Sequence, residues 1–136
     1  MNHLDYLVNC IKVDFKPSSV NGIGAFALRD IQVGEEVFPK WEGETKLYMI
    51  SHSEFESLPL YTKRLILKSY ENHRNELPFI WFRLFKDSYF NVANPWCFVN
   101  TKEENGNIDS ELRVAKQLIK EGEEIFGTYK LSNTIL

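Results

Sequence analysis

β-branched and aromatic residues in short runs dominate the chain, and helical periodicity is confined to one region. Residues 5–16 (DYLVNCIKVDFK) read as one or two strands. The next eight (PSSVNGIG) form a turn-rich loop. Residues 25–31 then read as a strand, 32–36 as a turn and 36–43 (EVFPKWEG) as a second strand. Residues 51–73 differ: behind Ser51 or Ser53 as a cap, apolar residues recur at roughly helical spacing, which predicts a helical insertion. Residues 78–92 return to strand–turn–strand with Lys86–Ser88 at the turn, and 94–109 become polar and turn-rich in their second half. Residues 110–119, 120–124 and 125–130 again read strand, turn, strand. No linker divides the chain, so the expectation is one mainly β domain over 1–136.

The chain echoes itself. Ala27–Phe38 (ALRDIQVGEEVF) aligns without gaps on Ala115–Phe126 (AKQLIKEGEEIF), matching at Ala, Ile, Gly, Glu, Glu and Phe. Each copy reads as a strand, a tight turn and a second strand, with Gly34 and Gly122 supplying a positive φ. Two copies fall short of the three a solenoid needs, so they are expected as similar β-units at the two ends of one domain, on adjacent sheets.

Composition narrows the function classes. The chain has 136 residues, enough for one core, with ordinary hydrophobic (43%) and charged (26%) fractions. A net charge of −3 argues against nucleic acid as the main partner. No apolar run approaches a bilayer span, and the N-terminus lacks a basic start and a clean apolar core, so the expected location is intracellular, away from membranes. Cys10 and Cys97 are too few for a zinc cluster, and no metal is expected.

Gly22-Ile-Gly-Ala-Phe-Ala27 fits the dinucleotide pattern G-x-G-x-x-A. That loop holds a pyrophosphate only when a helix follows it. Here Gly34 and a β-like segment follow within about ten residues, leaving little room for such a helix. Two readings remain: a glycine turn without a ligand, or a loop whose backbone approaches a ligand lacking a diphosphate.

Three blocks resemble the SET-domain protein lysine methyltransferases. The first, VNGIGAFALRDIQVGEEVFPKWEGE, is similar to the family's opening motif through Gly22, Gly24, Phe26, Ala27, Gly34, Glu35, Trp41, Gly43 and Glu44. The second, FVNTKEENGN, resembles its Asn-His-Ser segment followed by Pro-Asn. The third, AKQLIKEGEEIFGTYK, resembles its closing motif, with the usual seven residues from Gly122 to Tyr129. The resemblance implies a β-clip fold of small sheets with knot-like C-terminal threading. It implies S-adenosylmethionine as cofactor and methyl transfer to a lysine of a protein substrate, histone-like among the candidates. It also implies cofactor contacts from Gly22, Ile23, Gly24, Ala25, Asn100 and Thr101, and a catalytic tyrosine at Tyr129. Phe98, Tyr89, Phe126 and Trp41 become candidate walls of the lysine channel, although aromatic residues more commonly serve the core.

The departures are specific. Thr101 stands where the family has His and Lys102 where it has Ser; EENGN replaces a tighter Pro-Asn turn. Gly127 replaces the bulky aromatic that limits how many methyls the lysine accepts, so the expected product runs to trimethyl-lysine. No aromatic or Cys follows Lys130, so closure of the channel is expected from a partner chain, a homodimer included, from the substrate, or not at all. The runner-up reading is a catalytically impaired SET-fold module that binds a peptide or cofactor without methyl transfer; a structural β-domain without a small ligand is third. The acidic clusters Glu103–Glu104, Asp109–Glu111 and Glu121–Glu123–Glu124 read first as a solvated face, second as an attractor for a lysine-rich tail.

Overall fold

The computed structural model describes residues 1–68, 79–90 and 92–128. Within them the chain is mainly β, built from small two-stranded sheets with three short α-helices. It divides into two compact units, Met1–Ile11 with Pro39–Asn94, and Lys12–Phe38 with the chain from Pro95 onward.

The first unit opens with α1 (His3–Asn9), where the sequence pattern predicts strand. Asn2 caps the helix, its side chain accepting from the Asp5 N–H at 2.8 Å. The buried residues Tyr6, Leu7, Cys10 and Ile11 recur at i, i+1, i+4 and i+5, one face of a helix, and that period overrides β propensity. Strands β3 (Lys46–Ser51) and β4 (Phe79–Leu84) pair antiparallel, with Tyr48 opposite Phe82 and Ile50 opposite Ile80. The predicted helical region begins at Ser51, whose hydroxyl and Glu54 form a reciprocal capping box for α2 (His52–Glu56). Pro59 ends that path and α3 (Leu60–Leu67) follows, so residues 52–67 hold two helices. Residues 69–73 of the predicted insertion lie outside the described residues. Tyr6 anchors this unit: its hydroxyl donates to Pro39 O at 2.8 Å and accepts from the Phe90 N–H at 3.0 Å. Burial pushes its ionisation well above the usual phenol range, so it serves as a neutral donor throughout the working pH range.

The predicted strand over 36–43 does not form. Pro39 interrupts the ladder, and only Glu36 makes a bridge, to Val114.

In the second unit β1 (Val13–Pro17) pairs antiparallel with β2 (Ile23–Ala27). β5 (Asn100–Lys102) runs parallel to β8 (Phe126–Thr128), and β6 (Ile108–Asp109) pairs with β7 (Val114–Ala115). The two sequence repeats both lie here: Ala27 ends β2, Ala115 ends β7 and Phe126 begins β8, in different sheets, and outside those sheets the repeats bond directly to each other. Ile31 and Ile119 exchange both backbone hydrogen bonds, at 2.7 and 2.9 Å. Gly34 N–H donates to Ala115 O at 2.8 Å, and Gly122 N–H donates to Ala27 O at 2.8 Å. Ala115 N–H donates to Glu35 O, and Ala27 N–H to Glu123 O. Each bond maps onto its mate by exchange of the repeats, so the pair has local two-fold symmetry about the buried Ile31–Ile119 contact. Gly34 and Gly122 share φ 88°, as their turn positions require.

Candidate functional site

The β1–β2 turn sets the site's first wall. Ser18 N–H donates to Gly22 O at 2.8 Å, and the Ser18 hydroxyl accepts from Val20 N–H at 3.0 Å, closing the connection. Gly22 and Ile23 are exposed at its tip, whereas Gly24 and Ala25 are buried. Gly24 is glycine for a steric reason: a Cβ there would lie 2.5 Å from Glu124 Oε2. The close approach that the pattern demands of this glycine is made by a carboxylate one hundred residues on.

That carboxylate is a junction. Ser18 Oγ donates to Glu124 Oε1 at 2.8 Å, with Oε2 at 3.0 Å. Asn100 Nδ2 donates to Glu124 Oε2 at 2.8 Å and to Asn21 O at 3.1 Å. Both faces presented to Nδ2 are acceptors, which settles the orientation of the amide. Its Oδ1 has no hydrogen-bond partner among the described residues. Asn107, buried in the EENGN segment, takes the place of a strand partner for β8: its Oδ1 accepts from Phe126 N–H at 2.8 Å and its Nδ2 donates to Glu124 O at 2.9 Å. Its own N–H donates to Phe126 O at 2.9 Å, and Gly106 N–H reaches Thr128 Oγ1 at 2.8 Å.

The pairing of β5 with β8 sets Asn100, Thr101 and Lys102 opposite Phe126, Gly127 and Thr128. Thr101 and Lys102 are exposed; the Lys102 ammonium lies 4.1 Å from the centre of the half-buried Phe126 ring. Gly127 is buried, and a Cβ there would lie 3.3 Å from Ser110 Oγ and 3.5 Å from Thr101 Cγ2. Phe98, half-buried, packs against Phe15 with ring centres 5.2 Å apart. Gly22, Ile23, Gly24, Ala25, Phe98, Asn100, Thr101, Phe126 and Gly127 thus share the second unit. Trp41 and Tyr89 belong to the first, both buried; Trp41 stacks edge-on with Tyr6 and Tyr48 and donates to Glu44 O at 3.1 Å. Tyr129 and the threading expected after β8 lie outside the described residues.

Sequence reasoning missed Ser18, Asn107 and Glu124. Glu124 falls in a cluster that reads as a solvated acidic face, yet it is half-buried and bonded to Ser18 and Asn100 while Glu121 and Glu123 are exposed. Alternation gives no signal for it: Ile125 and Gly127 are the buried positions, which places Glu124 on the opposite, half-buried face with Phe126 and Thr128. Among the described residues no group of three His, Cys, Asp or Glu could hold a metal ion, and no helix is long and apolar enough to cross a membrane.

No family model matches the chain, and no curated protein matches it. Among solved structures, it is similar to a candidate histone methyltransferase of Plasmodium falciparum, at 18% identity and a TM-score of 0.36, over 88% of this chain and 94% of that one.

Proposed function

We propose that this chain is an S-adenosylmethionine-dependent protein lysine methyltransferase with a SET-type site in its second unit. One observation carries the reading: Asn100 joins the three motif blocks, through its bond to Asn21 O beside the glycine strand and through the β5–β8 pairing beside the closing motif. Asn21 and Glu124 lie 79 and 24 residues from Asn100 in sequence, so their meeting is a property of the fold.

The residues fit the cofactor. Asn100 keeps an acceptor oxygen for a ligand donor, and Gly22 has open space beside it. Gly22, Ile23, Asn100 and Thr101 would hold S-adenosylmethionine, which when bound supplies a methyl group on a sulfonium. The chain's own work is to align and to exclude water. An apolar channel lowers the pKa of the substrate lysine and favours the neutral, nucleophilic amine. The Tyr129 hydroxyl, next in sequence after Thr128, orients that amine and stabilises charge at transfer. Phe98, Phe126 and Gly127 supply channel surface on this reading.

Calorimetry with S-adenosylmethionine and radiolabelled methyl transfer to histones and cell extract test it. Wild type should bind and transfer. Tyr129→Phe should bind with nearly unchanged affinity but lose most transfer, because its hydroxyl acts in the transition state. No binding at millimolar cofactor overturns the reading. Binding with no transfer to any protein favours the module that binds without catalysis.

A further inference from the structure

We propose that Glu124 is a positioning residue for this site: it holds the Asn100 amide in its ligand-ready orientation and ties it to the β1–β2 turn. The inference rests on the functional reading above. Glu124 lies in the third motif block but outside the expected cofactor set, so its hydrogen bonds to Asn100 and Ser18 are an observation beyond the expected contacts.

Asn100 has two amide protons and one carbonyl oxygen to place. Glu124 Oε2 at 2.8 Å and Asn21 O at 3.1 Å bind the protons. Without the carboxylate, one N–H loses its partner and the amide can rotate, presenting donor or acceptor to the ligand indifferently. With it, the carbonyl oxygen is the one group available to a ligand among the described contacts. The same carboxylate takes the Ser18 hydroxyl, so the turn bearing Gly22 and Ile23 and the strand bearing Asn100 are held by one group. Glycine at 24 leaves the room the carboxylate occupies. A bond to a charged acceptor is about twice as strong as a neutral one, which suits a partly exposed junction where water competes.

A double-mutant cycle tests this, with cofactor affinity by calorimetry and melting temperature as readouts. Glu124→Ala should weaken S-adenosylmethionine binding by roughly tenfold, and Asn100→Ala by at least as much. Because Glu124 acts through Asn100, the double variant should bind no more weakly than Asn100→Ala alone. Glu124→Gln should restore most affinity, since its amide oxygen can accept from Asn100 while its amide nitrogen donates to the Ser18 hydroxyl. Gly24→Ala should lower the melting temperature in the wild type and less in the Glu124→Ala background, which reports the junction without cofactor. Wild type that binds, with losses from Glu124→Ala and Asn100→Ala that multiply, overturns the positioning role alone. Wild type that does not bind overturns the functional reading and this inference with it, even where the melting cycle shows coupling.

Discussion

Asn107 shows how one side chain substitutes for a missing strand. It is 7% exposed, and its amide accepts from Phe126 N–H and donates to Glu124 O, bracketing Ile125 with two bonds. Removing it leaves a part-buried donor on β8, the Phe126 N–H, and a part-buried acceptor just before it, Glu124 O, without these partners, each worth about 1–3 kcal/mol. Asn107→Ala should therefore destabilise the protein by roughly 2–4 kcal/mol in denaturant unfolding, with an unchanged m-value. A loss under about 0.5 kcal/mol would mean that water replaces both bonds. This residue was hidden in the sequence. EENGN reads as a worn version of a tighter turn, and nothing in a polar loop tells which Asn folds inward. Asn100 was legible because it sits beside the apolar Phe98 and Val99 and at a motif position that contacts the ligand; Glu124, though inside the closing motif, was not, because neighbouring glutamates give it the look of a surface run.

At the scale of elements, the repeat was the most legible feature, and its pairing was not. Identical turn chemistry at Gly34 and Gly122 follows from local sequence; mutual hydrogen bonding of the copies depends on tertiary placement that a local pattern does not encode. The same limit explains α1, where buried Tyr6 and Leu7 settle the helix against β propensity. The symmetry makes a prediction. Both glycines have φ 88° with open space beside them, so an alanine meets backbone strain and no clash. Gly34→Ala and Gly122→Ala should each destabilise by about 1–3 kcal/mol and by similar amounts. A large difference in calorimetric stability would show that the turns are not equivalent.

Glu35 breaks that symmetry through its charge partners. Partial burial pushes its carboxyl up, but the Lys12 ammonium at 2.9 Å, the Gln32 N–H and the Arg29 charge outweigh burial and hold it below the usual carboxylate range. A carboxyl with a lowered folded-state pKa contributes stability above its unfolded value, about 4.3, and loses it as pH falls through the folded value. The melting temperature should drop on acidification through that window, and Glu35→Gln should flatten the drop. An identical acid limb in the variant would remove Glu35 as its source.

For the whole molecule, the decisive question is whether three distant segments act as one site. A ligand present at 100 times its dissociation constant adds about 2.7 kcal/mol to global stability, which slows every amide that exchanges only through global unfolding. Amides that open locally respond differently: they slow only where the ligand restrains the opening. The β1–β2 turn and β5 are short, partly exposed elements, so their amides are expected to open locally. Hydrogen exchange with and without S-adenosylmethionine should therefore slow Ser18–Gly24, Asn100–Lys102 and Phe126–Thr128 together, beyond the uniform global effect. Strands β3 and β4 of the first unit should show the global effect alone. Slowing in one segment only would mean that the ligand sits on a single loop. Uniform slowing would mean that it binds elsewhere, because a ligand that bridges the glycine strand, Asn100 and β8, which hydrogen bonds already join, restrains the local opening of all three.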